Sequence, residues 1–219
     1  SAASDVYKRQ VLCNGMDIQS CFKKANEIDD YIDAHFDYAF DEKYGYKTTF
    51  PTNTGTGMKA GYTLHLPSLS DARRLNDISA ELGRFGLKFR TVYGDGQNGY
   101  GNLYQISTQK TLGQDEREVI KDLDDIVLQI VNQEKEQREH FYKKDKIQMD
   151  DEIYKSYGVL KYARKLSLKD SMVLISELMT GISLGVLQFA HNGRYNINEL
   201  IMDIQPAVLR QNSGKAMSV

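Results

Sequence analysis

Between two β-rich runs the chain carries Pro51-Thr52-Asn53-Thr54-Gly55-Thr56-Gly57-Met58-Lys59-Ala60, a stretch whose residue types suit an anion. Glycines at 55 and 57 allow φ > 0 and can turn N–H groups toward a ligand, Thr52, Thr54 and Thr56 add hydroxyl donors, and Lys59 adds a cation. Phosphate is the ligand such a set suits. The same composition also describes an ordinary connection between strands. It is not a Walker A loop, which needs Gly-Lys-Ser/Thr opening a helix. A second place for chemistry is Leu87 to Tyr93, a strand pattern holding Arg90, followed by Gly94-Asp95-Gly96-Gln97-Asn98-Gly99-Tyr100-Gly101, a loop too glycine-rich to be stiff without a ligand. Cys13 and Cys21 are the only cysteines; their spacing and the lack of a matching histidine cluster indicate neither zinc nor a disulfide framework.

The elements that must position these residues follow from periodicity. Ile18, Cys21, Phe22, Ala25, Ile28, Ile32 and Phe36 recur at three and four, which predicts an amphipathic helix over 17–36 with Cys21 in the core. Residues 44–50 and 59–66 read as strands, the second with Tyr62, Leu64 and Leu66 on one face and His65 on the other. A helix capped by Ser68 should carry Leu69, Leu75, Ile78, Leu82 and Phe85 inward and stop at Gly86. Residues 87–93 and 102–108 read as strands. From 114 to 142, Val119, Ile120, Leu123, Ile126, Val127, Ile130 and Val131 make one apolar stripe, and the charged run 134–146 reads as a solvated helix end leading to a linker. Beyond 150 the pattern is helical, with Gly158, Gly181, Gly185 and Gly193 as breaks.

The 219 residues, 41% hydrophobic and 26% charged, can bury a core. A formal net charge of −2 with mixed signs throughout argues for no nucleic acid and no membrane as partner, and no apolar run approaches the ~20 residues of a membrane span. A cytoplasmic location fits this cysteine usage.

The run Tyr44-Gly45-Tyr46-Lys47-Thr48-Thr49-Phe50-Pro51-Thr52-Asn53-Thr54-Gly55-Thr56-Gly57 resembles the nucleotide-site signature of the phosphagen (ATP:guanido) kinases. Asp37-Tyr38-Ala39-Phe40-Asp41-Glu42, Tyr93-Gly94-Asp95-Gly96, Gly101-Asn102-Leu103-Tyr104-Gln105-Ile106-Ser107, Thr111-Leu112-Gly113 and Tyr154-Lys155-Ser156-Tyr157-Gly158-Val159-Leu160 narrow the resemblance to the bacterial branch, the protein arginine kinases. It runs from about Val11 onward. Residues 1–10, back-translated, read like a sequencing-library adapter and are set aside as an adapter-derived scar.

The resemblance implies ATP and Mg²⁺ and an ATP-binding set of Lys59, Ala60, Gly61, Tyr62 and Thr63 from one strand with Arg90, Thr91, Val92, Tyr93, Gly94 and Asp95 from the other. Asp95 is also the implied catalytic carboxylate, holding the acceptor guanidinium. Lys59 stands where the family has an arginine, and loses the planar fork. Phe50 stands where phosphagen kinases carry a reactive cysteine, so no thiolate is available there. The family's paired glutamates and several phosphate-binding arginines would lie upstream of Val11, so the chain alone should not turn over. Its phosphoarginine-binding motif would follow the segment resembled by Leu200 to Leu209.

The expected architecture is α+β: a mostly antiparallel sheet wrapped by helices, the C-terminal part of a catalytic domain over 11–145, then a small α-helical domain over 146–219. The implied function is phosphorylation of protein arginine side chains, marking proteins for regulated proteolysis. The implied partners are protein substrates, an adaptor protein, protease–chaperone machinery and further copies of the chain through the helical domain. Two other readings stay open: a catalytically degenerate homologue serving as a regulatory binding module, favoured by Phe50 and Lys59, and a small-guanidine kinase, disfavoured by the helical tail.

Overall fold

The computed structural model describes residues 10–48, 53–94, 99–109, 111–113, 115–188 and 197–213. Helix α1, Ile18–Asp33, starts where Asp17 accepts a hydrogen bond from the Ser20 N–H at 3.1 Å. Its expected stripe is not a core: only Ile18 is buried, Cys21, Phe22, Ala25 and Ile32 are half-buried, and Phe36, past the helix end, is 69% exposed. Periodicity reports which face is apolar and is silent about what covers it.

The next two strands are short. β1, Phe40–Asp41, pairs antiparallel with β2, Gly45–Tyr46, around a turn in which the Asp41 carboxylate accepts from the N–H groups of Lys43 and Tyr44. The strand expected over 44–50 is thus the second arm of a hairpin, as far as the described residues reach.

β3, Gly61–His65, β4, Leu87–Thr91, and β5, Leu103–Thr108, form the main sheet in the order β3-β5-β4. Backbone bonds Thr108 N to Ala60 O and Leu66 N to Asn102 O make β3 and β5 antiparallel. Val92 N to Leu103 O and Gln109 N to Gly86 O do the same for β5 and β4. The fold is α+β, as expected.

The helix expected after β3 is two helices. α2, Pro67–Asp71, begins with proline at its first turn, and α3, Leu75–Arg84, follows after Arg73 takes φ 57°. Ser68 is not the N-cap: the N–H groups of Ser68 and Leu69 donate to the two oxygens of the distant Glu134 carboxylate at 3.1 and 2.9 Å. Leu69, Ile78 and Leu82 are buried as expected, whereas Phe85 is 67% exposed. It sits in the turn that ends α3, where Gly86 takes φ +71°.

α4, Glu116–Lys144, starts at Asp115, whose carboxylate accepts from the Arg117 and Glu118 N–H groups. Its stripe buries Ile120, Leu123, Val127 and Ile130. The expected linker is a single residue: Asp145 caps α5, Lys146–Tyr162, directly. Gly158 lies within α5 and breaks nothing, and Gly181 lies within α6, Leu168–Ser183, which ends at Gly185 with φ +73°. α7, Ile197–Asp203, and α8, Pro206–Ser213, complete eight helices among the described residues; Gly193 lies outside them. No described helix is long and apolar enough to cross a membrane.

Contacts divide the chain into two interleaved units. The first comprises residues 1–63, 76–90 and 105–132, and buries Tyr62, Ile78, Leu82, Leu87, Ile106, Ile120, Leu123 and Val127. The second comprises residues 64–75, 91–104 and 133–219, with one cluster around Leu103, Met172, Ile175 and Ile201 and another around Ile153, Leu178 and Leu187.

Candidate functional site

In the first unit, one face of the sheet is open. The antiparallel bonds place Gly61 opposite Ser107 and Ser107 opposite Lys88, and in the next row Thr63 opposite Gln105 and Gln105 opposite Arg90. Residues directly opposite share a face and stand ~5 Å apart. Two rows, Gly61–Ser107–Lys88 and Thr63–Gln105–Arg90, therefore cross the sheet side by side. Gly61 leaves its row low because a Cβ there would meet Ile106 O at 2.6 Å and Ser107 Cβ at 3.0 Å. Arg90 is exposed, its Nε donating to Gln105 Oε1 at 2.7 Å, and Lys59 and Lys88 are exposed too. Lys88 was not singled out from the sequence; strand alternation two residues back from Arg90 carries the signal for it.

The other face is covered. Tyr62 points inward and its hydroxyl donates to the Asp124 carboxylate on α4 in a short hydrogen bond. Burial, then the Asp124 hydrogen bond, pushes the phenol pKa up. Its side chain is therefore spent on packing. Ala60 is tied to β5: its N–H donates to Thr108 Oγ1 at 3.1 Å and its carbonyl accepts from Thr108 N at 2.9 Å.

The glycine-rich loop is pinned by backbone rather than held open. Gly55 takes φ +115°, its N–H donates to Tyr46 O at 3.3 Å, and an added Cβ would meet Thr111 O at 2.2 Å. Thr56 N donates to Thr111 O at 3.0 Å, and Thr111 Oγ1 donates to Thr54 O at 2.6 Å. Two N–H groups that the composition offered to an anion, those of Gly55 and Thr56, are thus committed to the fold. Glycine is needed at 55 because the Thr111 backbone approaches so closely, and at 57 it serves a φ of +65°. Phe50, Pro51 and Thr52 lie outside the described residues.

The remaining expected residues fall in the second unit. Thr91 Oγ1 donates to Gly94 O at 3.4 Å, Val92 N donates to Leu103 O at 2.9 Å, and Gly94 takes φ +85°. Tyr93 stacks with Tyr100, packs against the Leu103–Met172 cluster and accepts a hydrogen bond from Gln205 Nε2 at 3.2 Å. Asp95 and Gly96 to Asn98 lie outside the described residues.

The second unit also holds a buried polar network that the sequence reading placed in solvent. Glu134 is 2% and Arg138 8% exposed; Arg138 Nη2 donates to Glu134 Oε1 at 2.9 Å and Nη1 donates to Ser183 Oγ. The missed signal is register: the steps 127–130–134–138 continue the apolar stripe, so these charges lie on its face. His65 is hydrogen-bonded to Ser176 Oγ at 2.8 Å, and Asn102 Nδ2 donates to the same oxygen at 3.1 Å. Burial, aided by the Arg138 charge, lowers the His65 pKa to about 3. The imidazole is neutral and structural.

Two family models match the chain. Residues 5–137 match the model of the ATP:guanido phosphotransferase C-terminal catalytic domain, and residues 146–219 match the protein-arginine kinase McsB C-terminal domain. The chain is 38% identical over 213 residues to the protein-arginine kinase of Bacillus subtilis, covering 97% of this chain and 58% of that protein. It is 40% identical over 205 residues to that of Staphylococcus saprophyticus, covering 94% and 60%. The chain thus spans about three fifths of the length of these relatives. Among solved structures, the duplicated taurocyamine kinase of Schistosoma mansoni with bound transition-state-analogue components aligns at TM-score 0.46 and 30% identity, over 53% of this chain and 16% of that one.

Proposed function

From the premise that the chain belongs to the ATP:guanido phosphotransferase family, we propose that it supplies the nucleotide-holding part of a kinase that transfers the γ-phosphoryl group of Mg-ATP to arginine side chains of proteins. The observation that carries this reading is the open sheet face with Lys88 and Arg90 in adjacent rows and Lys59 just ahead of β3. Phosphoryl transfer is chiefly positioning and charge stabilisation, and cations rooted on strands supply both. Arg90 offers a planar fork to two phosphate oxygens, Lys59 and Lys88 compact point charges. Backbone and small side chains at Ala60, Gly61 and Thr63 leave room for the nucleotide beside them. Mg²⁺ would be held chiefly by the phosphates and water, would neutralise charge there, and would need few protein ligands; among the described residues no group of three His, Cys, Asp or Glu is suited to a metal ion.

A protein arginine as acceptor is supported by the match of residues 146–219 to the protein-arginine kinase C-terminal domain and by the names of the relatives. In this reading Asp95 holds the acceptor guanidinium, and Thr91 to Gly94 set the loop that carries it. The helical region 146–219 makes contacts between copies. The product marks cytoplasmic proteins for proteolysis through an adaptor and protease–chaperone machinery. The test uses a protein extended to the length of the relatives: it should form phosphoarginine on an unstructured protein substrate with Mg-ATP and leave free arginine unmodified. Transfer to free arginine alone would make it a small-guanidine kinase, and tight Mg-ATP binding without any transfer would make it a regulatory module.

A further inference from the structure

On the helix-covered side of the sheet, within the first unit, lies a cavity of about 300 Å³. Its floor is Leu87, Leu123 and Ile126, and α4 adds Asp122 and Asp125. Leu87 and Thr108 reach it from the inward positions of their strands, so it opens on the face opposite Lys88 and Arg90. Phe85, 67% exposed, is the one aromatic among the described lining residues, which include no cation. Asp122 and Asp125 make no hydrogen bond or ion pair to another described residue, whereas Asp124 between them is engaged by Tyr62. An apolar floor beneath two carboxylates repels phosphate and favours a cation with an aliphatic stem. The volume sits at the small end of the ~300–1,000 Å³ typical of ligand pockets, suited to one side chain.

We infer that this cavity docks an arginine side chain of a protein partner. The three methylenes cover Leu87, Leu123 and Ile126 while the charged head stays at the mouth. Asp122 and Asp125, three residues apart on one helix, are neighbours on its surface and accept from the same guanidinium fork. The flat face of that group lies against the Phe85 ring. Lysine shares the stem but cannot engage two carboxylates in a plane and stack at once. Docking here requires no nucleotide, so the inference stands apart from the proposed phosphoryl transfer.

The test is fluorescence polarisation of the 219-residue chain, without nucleotide, against a labelled peptide holding a single arginine among alanine, serine and glycine. The same peptide with citrulline, a neutral isostere, or lysine at that position provides the comparison. Saturable binding of the arginine peptide is expected. Loss of charge-assisted hydrogen bonds should weaken binding at least about tenfold for citrulline, and equally for the Asp122→Asn/Asp125→Asn chain. Arg90→Ala should leave it unchanged. No saturable binding, equal binding of the citrulline peptide, or lysine binding as tightly as arginine overturns the inference. If the double variant melts differently from the parent, the three peptides decide the matter on the unaltered chain.

Discussion

Arg90 and Arg138 show how the same side chain serves opposite ends in the two units. Arg90 stands on an open strand face with one neutral amide partner among the described residues, Gln105, and its side chain is exposed to water. Arg138 is buried, paired with Glu134 and bonded to Ser183, while Glu134 also receives the first N–H groups of α2. A guanidinium already paid for by a buried carboxylate has little left to offer a ligand, and one on an open face contributes little to the fold. Charge alone does not distinguish the two arginines; the number of donors left unspent does.

The sharpest break of this contrast is Glu134→Ala. It strands the Arg138 charge and uncaps α2, and removing one partner of a buried pair costs about 3–5 kcal/mol. Denaturant unfolding should show that loss; a change below 1 kcal/mol would mean that water reaches the network. Arg90→Ala should do the reverse. Stability should move by less than about 0.5 kcal/mol, while Mg-ADP affinity, read by titration calorimetry, should fall by about 1.5–3 kcal/mol. Lys59→Ala should cost less, since a point charge replaces the fork. Equal or reversed losses would remove the assigned roles.

His65 sharpens the second unit's side of the comparison. Its folded pKa of about 3 lies below the ordinary value of 6.5, so between these two values the unfolded chain binds a proton that the folded one refuses. Stability should therefore fall as pH drops from about 6.5 toward 3, by up to about 1.4 kcal/mol per pH unit. Asp71 and Glu177 act in the opposite sense: burial first, then neighbouring carboxylates, raises both pKa values, so protonation in the acid range relieves them. The difference between the parent and His65→Gln profiles isolates the histidine, and superimposable profiles would refute its burial. Smallest is Tyr62→Phe, which removes the hydroxyl from Asp124 and should cost about 1 kcal/mol, without changing Mg-ADP affinity. A loss of affinity would bring Tyr62 back into the nucleotide site through its side chain.

Much of this was legible beforehand. Strand alternation at Tyr62, Leu64 and Leu66 and the stripe from Ile120 to Ile130 put the right residues inside, because each side chain's direction follows from local geometry. Arg90 was read as a site residue through the resemblance alone; the structure adds that it stands on an open strand face. The single helix expected after β3 failed for a nonlocal reason: the cap of α2 comes from Glu134, more than sixty residues away. The solvated reading of 134–146 failed because composition outweighed register.

By itself the sequence determined where most of the helices and strands of the main sheet fall, that the chain mixes the two, and that one loop must be built from glycine, since these depend on periods of two and 3.6 and on side-chain bulk. Only the tertiary structure decided which charges are consumed and which are free. Glu134 meets the start of α2 from a distant helix and holds Arg138, Tyr62 turns to Asp124, and Arg90 meets Gln105 of β5. Such pairings depend on what each face packs against, and that is settled when residues far apart in the chain are brought within hydrogen-bond reach.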